Sequence, residues 1–119
     1  MISEDTAREV TSLLAGVVAE DGTGRLASVP GYQIAGKTGT ALIAQPGGGY
    51  YDESGQAHLL TSFAGFLPAG DPELSIIVMI EEPDGDASGG RVAAPLFGEI
   101  SNFALQHFRI PPAESVSNG

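Results

Sequence analysis

The sequence predicts an α/β domain: a three-stranded antiparallel sheet flanked by an N-terminal and a C-terminal helix. Three observations carry this. Apolar residues recur at helical spacing near both ends; three runs of strand character lie between them; and the last two runs are joined by a short, turn-rich segment, Pro68 to Glu73. A chain of 119 residues holds one domain at most, and 42% hydrophobic against 17% charged residues supplies material for a core.

The first helix is read from Ser3 to about Glu20, where Ala7, Val10, Leu14 and Val17 share a face widened by Leu13 and Val18. Ser3 is a natural N-cap, Glu4 and Asp5 suit the positive end of the helix dipole, and Asp21-Gly22-Thr23-Gly24 stops the helix. After the turn at Pro30-Gly31, residues Tyr32 to Ile43 form a strand rich in small residues. Residues 44–58, with a glycine triplet at 47–49, make a long irregular loop. Leu59 to Leu67 and Leu74 to Glu81 are the second and third strands; the third is apolar almost throughout, which implies cover on both faces. An acidic, glycine-rich loop, residues 82–90, leads to a helix from Ala93 to Phe108 with Pro95 in its first turn. Pro111-Pro112 ends the domain, taken as residues 1–112, and residues 113–119 are expected to be a disordered tail.

Charge and composition exclude several classes. With Lys+Arg 5 against Asp+Glu 15, the net charge is −10, so there is no basic stripe to track nucleic acid or an anionic membrane. The absence of cysteine removes disulfides, thiolate metal sites and cysteine nucleophiles. The N-terminus, Met1-Ile2-Ser3-Glu4-Asp5, is acidic where a secretory signal would be basic, and the longest apolar run, Ile76 to Ile80, is far shorter than a membrane span. Glycine, 17 of 119 residues, is at roughly twice its usual share.

The first strand carries Ala35-Gly36-Lys37-Thr38-Gly39-Thr40-Ala41, and Lys37 is the only lysine of the chain. An ammonium, two hydroxyls and two glycines in succession make a receptor for a carboxylate or a polarised carbonyl. Gly36 and Gly39 are expected to leave room for a ligand against the backbone. A carboxylate about 4 Å from an ammonium gains roughly 4 kcal/mol at an effective dielectric of 20, before desolvation.

Lys-Thr-Gly on a strand is one signature of the penicillin-recognising serine enzymes. With Val29-Pro30-Gly31-Tyr32-Gln33-Ile34 before it, Gly22-Thr23-Gly24 upstream, and Ser62-Phe63-Ala64-Gly65-Phe66 and Gly89-Gly90-Arg91-Val92-Ala93-Ala94-Pro95 downstream, the chain resembles the C-terminal part of class B penicillin-binding proteins, the division-type D,D-transpeptidases. The resemblance implies the C-terminal portion of a β-lactamase/transpeptidase-like domain. It implies that Lys37, Thr38, Gly39 and Thr40 bind the carboxylate of a peptidoglycan stem peptide or a β-lactam, and that the Thr40 backbone N–H is half of an oxyanion hole. It implies no cofactor, no metal, and a membrane-anchored parent acting on the extracytoplasmic face, this segment itself making no membrane contact.

The family's other two signatures are missing. Ile34 stands three residues before the single lysine, so no Ser-x-x-Lys exists, and no serine has Asn two residues later. The chain is therefore expected to be a C-terminal fragment whose N-terminal remainder carries the serine and is its partner. The alternatives are a non-catalytic ligand-binding or interaction module, or an inactive truncated product.

Other patterns are weaker. Asp84-x-Asp86-x-Ser88-Gly89 begins like a calcium loop but has Pro95 at the twelfth position, where the loop requires an acid. Gly22-Thr23-Gly24 follows a helix, not the strand that a dinucleotide fingerprint needs. His58 and His107 lack partners at metal-ligand spacing, Asp52 and Glu53 read as solvated acids, and Tyr50 and Tyr51 either line a groove or cover the sheet.

Overall fold

A computed structural model of the chain describes residues 1–83 and 88–112; the tail expected over 113–119 lies outside them. The order is α1 (Glu4–Val18), a 3-10 turn (Arg25–Ala27), β1 (Ala35–Leu42), β2 (Leu59–Leu67), β3 (Leu74–Glu81) and α2 (Ala93–His107). The sheet is antiparallel throughout in the order β1-β2-β3, leaving β1 at an edge.

Ser3 caps α1 as its chemistry suggests, its hydroxyl accepting from the Thr6 N–H at 3.2 Å. The Gly22-Thr23-Gly24 turn closes the same helix: Gly24 N–H donates to Val17 O at 2.8 Å, and a Cβ on Gly22 would lie 2.0 Å from that oxygen. These glycines serve chain reversal rather than a phosphate. β1 starts later than Tyr32, because Tyr32 N–H is used in a turn to Val29 O and Gly31 has φ +86°.

The register places Thr38, Phe63 and Val78 on one face and Lys37, Ala64 and Ile77 on the other. On the first face Phe63 is fully buried and meets Phe97 of α2 with ring centroids 4.5 Å apart. Glycines make room for that ring. A Cβ on Gly36 would stand 2.6 Å from Phe63 Cε1, and one on Gly24 would stand 2.7 Å from its Cε2. Gly36 is thus filled from within the fold, and a Cβ on Gly39 would meet Ser62 Oγ at 2.6 Å. The space that a side chain would need at these two glycines is taken by Phe63 and Ser62.

The expected double cover of β3 is not found. Val78 is buried and Leu74, Ile76 and Ile80 are partly covered, but Ile77 and Met79 are 64% and 58% exposed. Among the described residues α2 covers only the first face, and α1 lies along β1. The C-terminal helix is similarly divided. Ala94, Phe97, Ser101 and Leu105 are buried, whereas Leu96, Ile100 and Phe103 form a second, outward apolar stripe with Phe103 70% exposed.

This much uncovered apolar surface is expected to make the 119-residue protein bind a hydrophobic dye or self-associate. Ile77→Lys with Met79→Lys should lower dye fluorescence severalfold. A monodisperse monomer that ignores the dye and unfolds cooperatively would contradict this. Ser101 Oγ and Thr61 Oγ1 are buried without a hydrogen-bond partner among the described residues. An unpaired buried hydroxyl costs about 1–3 kcal/mol, so Ser101→Ala should leave the melting temperature equal or higher. A fall of several degrees would show that the hydroxyl is paired.

Candidate functional site

Strand alternation sends Lys37 and Thr38 to opposite faces of β1, yet their polar ends meet. Lys37 Nζ donates to Thr38 O and to Thr38 Oγ1, both at 3.0 Å. The ammonium is held beside an edge strand and keeps one N–H for a ligand. Thr38 Oγ1, accepting from Lys37, retains its own proton to donate. Thr40 Oγ1 is fixed in the same way, by the Gly89 N–H at 3.3 Å.

Gly89 itself is pressed against the sheet. A Cβ there would stand 2.7 Å from the oxygens of Gly39 and Ser62, so only glycine lets the 88–92 turn lie close enough to hold Thr40. Two threonine hydroxyls with protons to give and an ammonium with one open position form a compact donor set on β1. On the Lys37 side the sheet has a hollow of about 300 Å³ lined by Leu14, Ala35, Lys37, Ala64, Phe66 and Ser75.

The loop after β1 contains an interaction that sequence spacing does not reveal. His58 bridges two carboxylates: its Nε2 meets Asp52 Oδ2 at 2.9 Å, and its Nδ1 meets Glu82 Oε1. Asp52 also accepts from the Ser54 N–H, the Ser54 hydroxyl at 2.6 Å and the Gln56 N–H, while Tyr51 and Ala57 form an isolated β-bridge. Part of the loop is therefore a clasped hairpin arm. Asp52 and Glu53 do not act as a pair; Asp52 alone is engaged. The partner Glu82 lies 24 residues from His58, too far apart in sequence for spacing rules.

Among the described residues no group of acids and histidines could hold a metal ion. Asp84 and Asp86 of the calcium-like pattern lie outside those residues. Tyr50 and Tyr51 are 51% and 64% exposed, and His107 stacks on Phe103. No helix among the described residues is long and apolar enough to cross a membrane.

The fold and the site together are an antiparallel sheet with a helix on one face and a Lys-Thr-Gly donor set on its edge strand. Residues 1–102 match the family model described as the penicillin-binding protein transpeptidase domain. The chain belongs to that family, in the class B branch. It is 45% identical to penicillin-binding protein PbpB of Mycolicibacterium smegmatis over 93% of its own length and 18% of that protein's. It is 36% identical to peptidoglycan D,D-transpeptidase FtsI of Escherichia coli over 92% of the chain and 18% of the relative. Penicillin-binding protein 3 of Mycobacterium tuberculosis, solved in complex with ampicillin, superposes with TM-score 0.78 at 38% identity, covering 98% of this chain and 27% of that one. The chain thus spans less than a fifth of the length of these curated relatives.

The clasp gives a pH expectation. Hydrogen bonds donated by the imidazole to Asp52 first, and to Glu82 second, raise the His58 pKa above its usual 6.5; bonds that Asp52 accepts from the Ser54 side chain first, then from His58 and Gln56, lower its own pKa from 3.8. His58's contribution is full below pH 6.5 and lost as pH rises through its raised value; Asp52's is present above pH 3.8 and lost as pH falls through its lowered value. Protection of the Gln56 amide from hydrogen exchange should therefore be greatest between these limits and fade on the alkaline side. An imidazole titration at or below the ordinary histidine value would show that the clasp is absent in solution.

Proposed function

We propose that this chain forms the Lys-Thr-Gly side of a serine D,D-transpeptidase cleft that cross-links peptidoglycan stem peptides during cell-wall and septum synthesis. The observation that carries this reading is the donor set on β1: Lys37 Nζ bound to Thr38 Oγ1 at 3.0 Å, with Thr40 Oγ1 held by Gly89. Membership of the penicillin-binding transpeptidase family supports it.

In this reading the ammonium of Lys37 and the hydroxyls of Thr38 and Thr40 hold the terminal carboxylate of a donor stem peptide. A serine on the remainder of the domain attacks the peptide carbonyl, and the carbonyl oxygen becomes an oxyanion that accepts from the Thr40 backbone N–H. Collapse releases the leaving amine and leaves an acyl-enzyme, which the amine of a second stem peptide resolves into the cross-link. A β-lactam carries a carboxylate beside a strained amide and acylates the same serine. No cofactor or metal takes part in this scheme.

The chain contains no Ser-x-x-Lys, so the nucleophile and its base come from the remainder of the protein. The open sheet face around Ile77, Met79 and Ala64 and the hollow beside Lys37 are where that remainder would pack, covering apolar surface and bringing the serine to the strand edge. A parent anchored in the cytoplasmic membrane would work on its outer side. The rival reading, a non-catalytic module derived from the family, is separated by whether the coding sequence on the N-terminal side supplies Ser-x-x-Lys and Ser-x-Asn.

Fluorescent penicillin followed by a denaturing gel tests the chemistry. The 119-residue chain alone is expected to take no covalent label. The complete protein should be labelled, with Lys37→Ala lowering labelling at limiting drug by about 10²-fold, the scale of one lost transition-state donor. Labelling of the isolated chain, or equal labelling of the Lys37→Ala protein, would contradict the assignment.

A further inference from the structure

A second cavity, of about 340 Å³, opens beside Thr38 and is lined by Thr23, Arg25, Leu26, Thr38, Ser88 and Arg91. Its composition is unlike that of the chain. The protein has Lys+Arg 5 against Asp+Glu 15, yet two of the five cations line this one cavity and, among the described residues, no acid does. Three hydroxyls, on Thr23, Thr38 and Ser88, accompany them. Arg25 forms no ion pair among the described residues, while Arg91 has an interaction of its own within the chain, which makes Arg25 the principal cation.

The cavity joins the Lys37 site through one residue. Thr38 lines it and also accepts from Lys37 Nζ at 3.0 Å. Its walls come from three separate segments: the turn after α1, β1, and the 88–92 turn. A Cβ on Gly90 would meet Thr23 O at 2.3 Å, so these turns touch backbone to backbone and fix the rim. A volume of about 340 Å³ far exceeds what a single carboxylate fills.

We propose that this cavity is a second oxyanion subsite, taking an additional carboxylate of a dianionic ligand whose first carboxylate sits at Lys37, Thr38 and Thr40. The inference rests on the proposed function and deepens it: the preferred substrate carries two negative groups, and Arg25 recognises the second. Guanidinium suits this role, because its planar fork pairs with both carboxylate oxygens and stays charged at every working pH.

The test uses the complete transpeptidase and two cephalosporins alike except for one additional carboxylate on the substituent next to the ring carboxylate. The second-order acylation constant of the unaltered protein should be about threefold to fivefold higher for the dianionic compound, the scale of a partly exposed ion pair. Arg25→Gln should abolish this preference while leaving the monoanionic constant within twofold, and Arg25→Lys, which keeps the charge but not the fork, should retain part of it. No preference in the unaltered protein, or an equal loss for both compounds in Arg25→Gln, overturns the second subsite. If neither compound acylates the unaltered protein, the transpeptidase reading fails, and the subsite with it.

Discussion

The ring of Phe63 holds the Lys-Thr-Gly strand in place. It enters the sheet face from the middle of β2, fills the space left by Gly24 and Gly36, and meets Phe97 of the C-terminal helix. Through this one side chain the turn after α1, the strand with Lys37 and the helix α2 share a position. Gly36 immediately precedes Lys37, so the missing side chain that admits the ring also sets how closely the Lys-Thr-Gly backbone lies on β2. Gly65 repeats the device on β2, where a Cβ would stand 2.7 Å from Ala35 O and 3.0 Å from Phe97 Cζ.

The Lys-Thr-Gly donor set is completed on that frame by a second close contact, the seating of Gly89 on Gly39 and Ser62. It brings a backbone N–H to the Thr40 hydroxyl and holds the rim of the arginine-lined cavity beside Thr38. Strand alternation would separate Lys37 from the threonines; the length of the lysine side chain brings the ammonium back to the edge. The glycine excess thus has a structural origin at Gly24, Gly36, Gly65 and Gly89, where backbone or aromatic atoms occupy the room of a side chain.

Much of this was legible in the sequence, for local reasons. β2 and β3 begin and end where their apolar runs do, and Ser3 caps α1 because capping needs only residues three apart. The Lys-Thr-Gly triplet and its spaced companions point to the family because they are contiguous motifs. Cover on β3 was misread, since an apolar run records burial without saying which chain provides it; Ile77 and Met79 stay exposed here. The contact of His58 with Glu82 and the placing of Arg25 and Arg91 around one cavity join residues far apart in sequence, which no spacing rule encodes. The approach of Phe63 to Gly36 and of Ser62 to Gly39 was not legible, because the sequence does not show which strand residues stand opposite.

A double-mutant cycle between Gly36→Ala and Phe63→Val, read as unfolding free energy in urea, tests the dependence of the Lys-Thr-Gly strand on the aromatic ring most directly. Gly36→Ala alone puts a Cβ 2.6 Å from the ring and is expected to destabilise strongly. In the Phe63→Val background most of that cost should vanish, giving a coupling of about 1–3 kcal/mol. Additivity within about 0.5 kcal/mol would mean that the ring and the glycine act independently, and that the strand is held by something else.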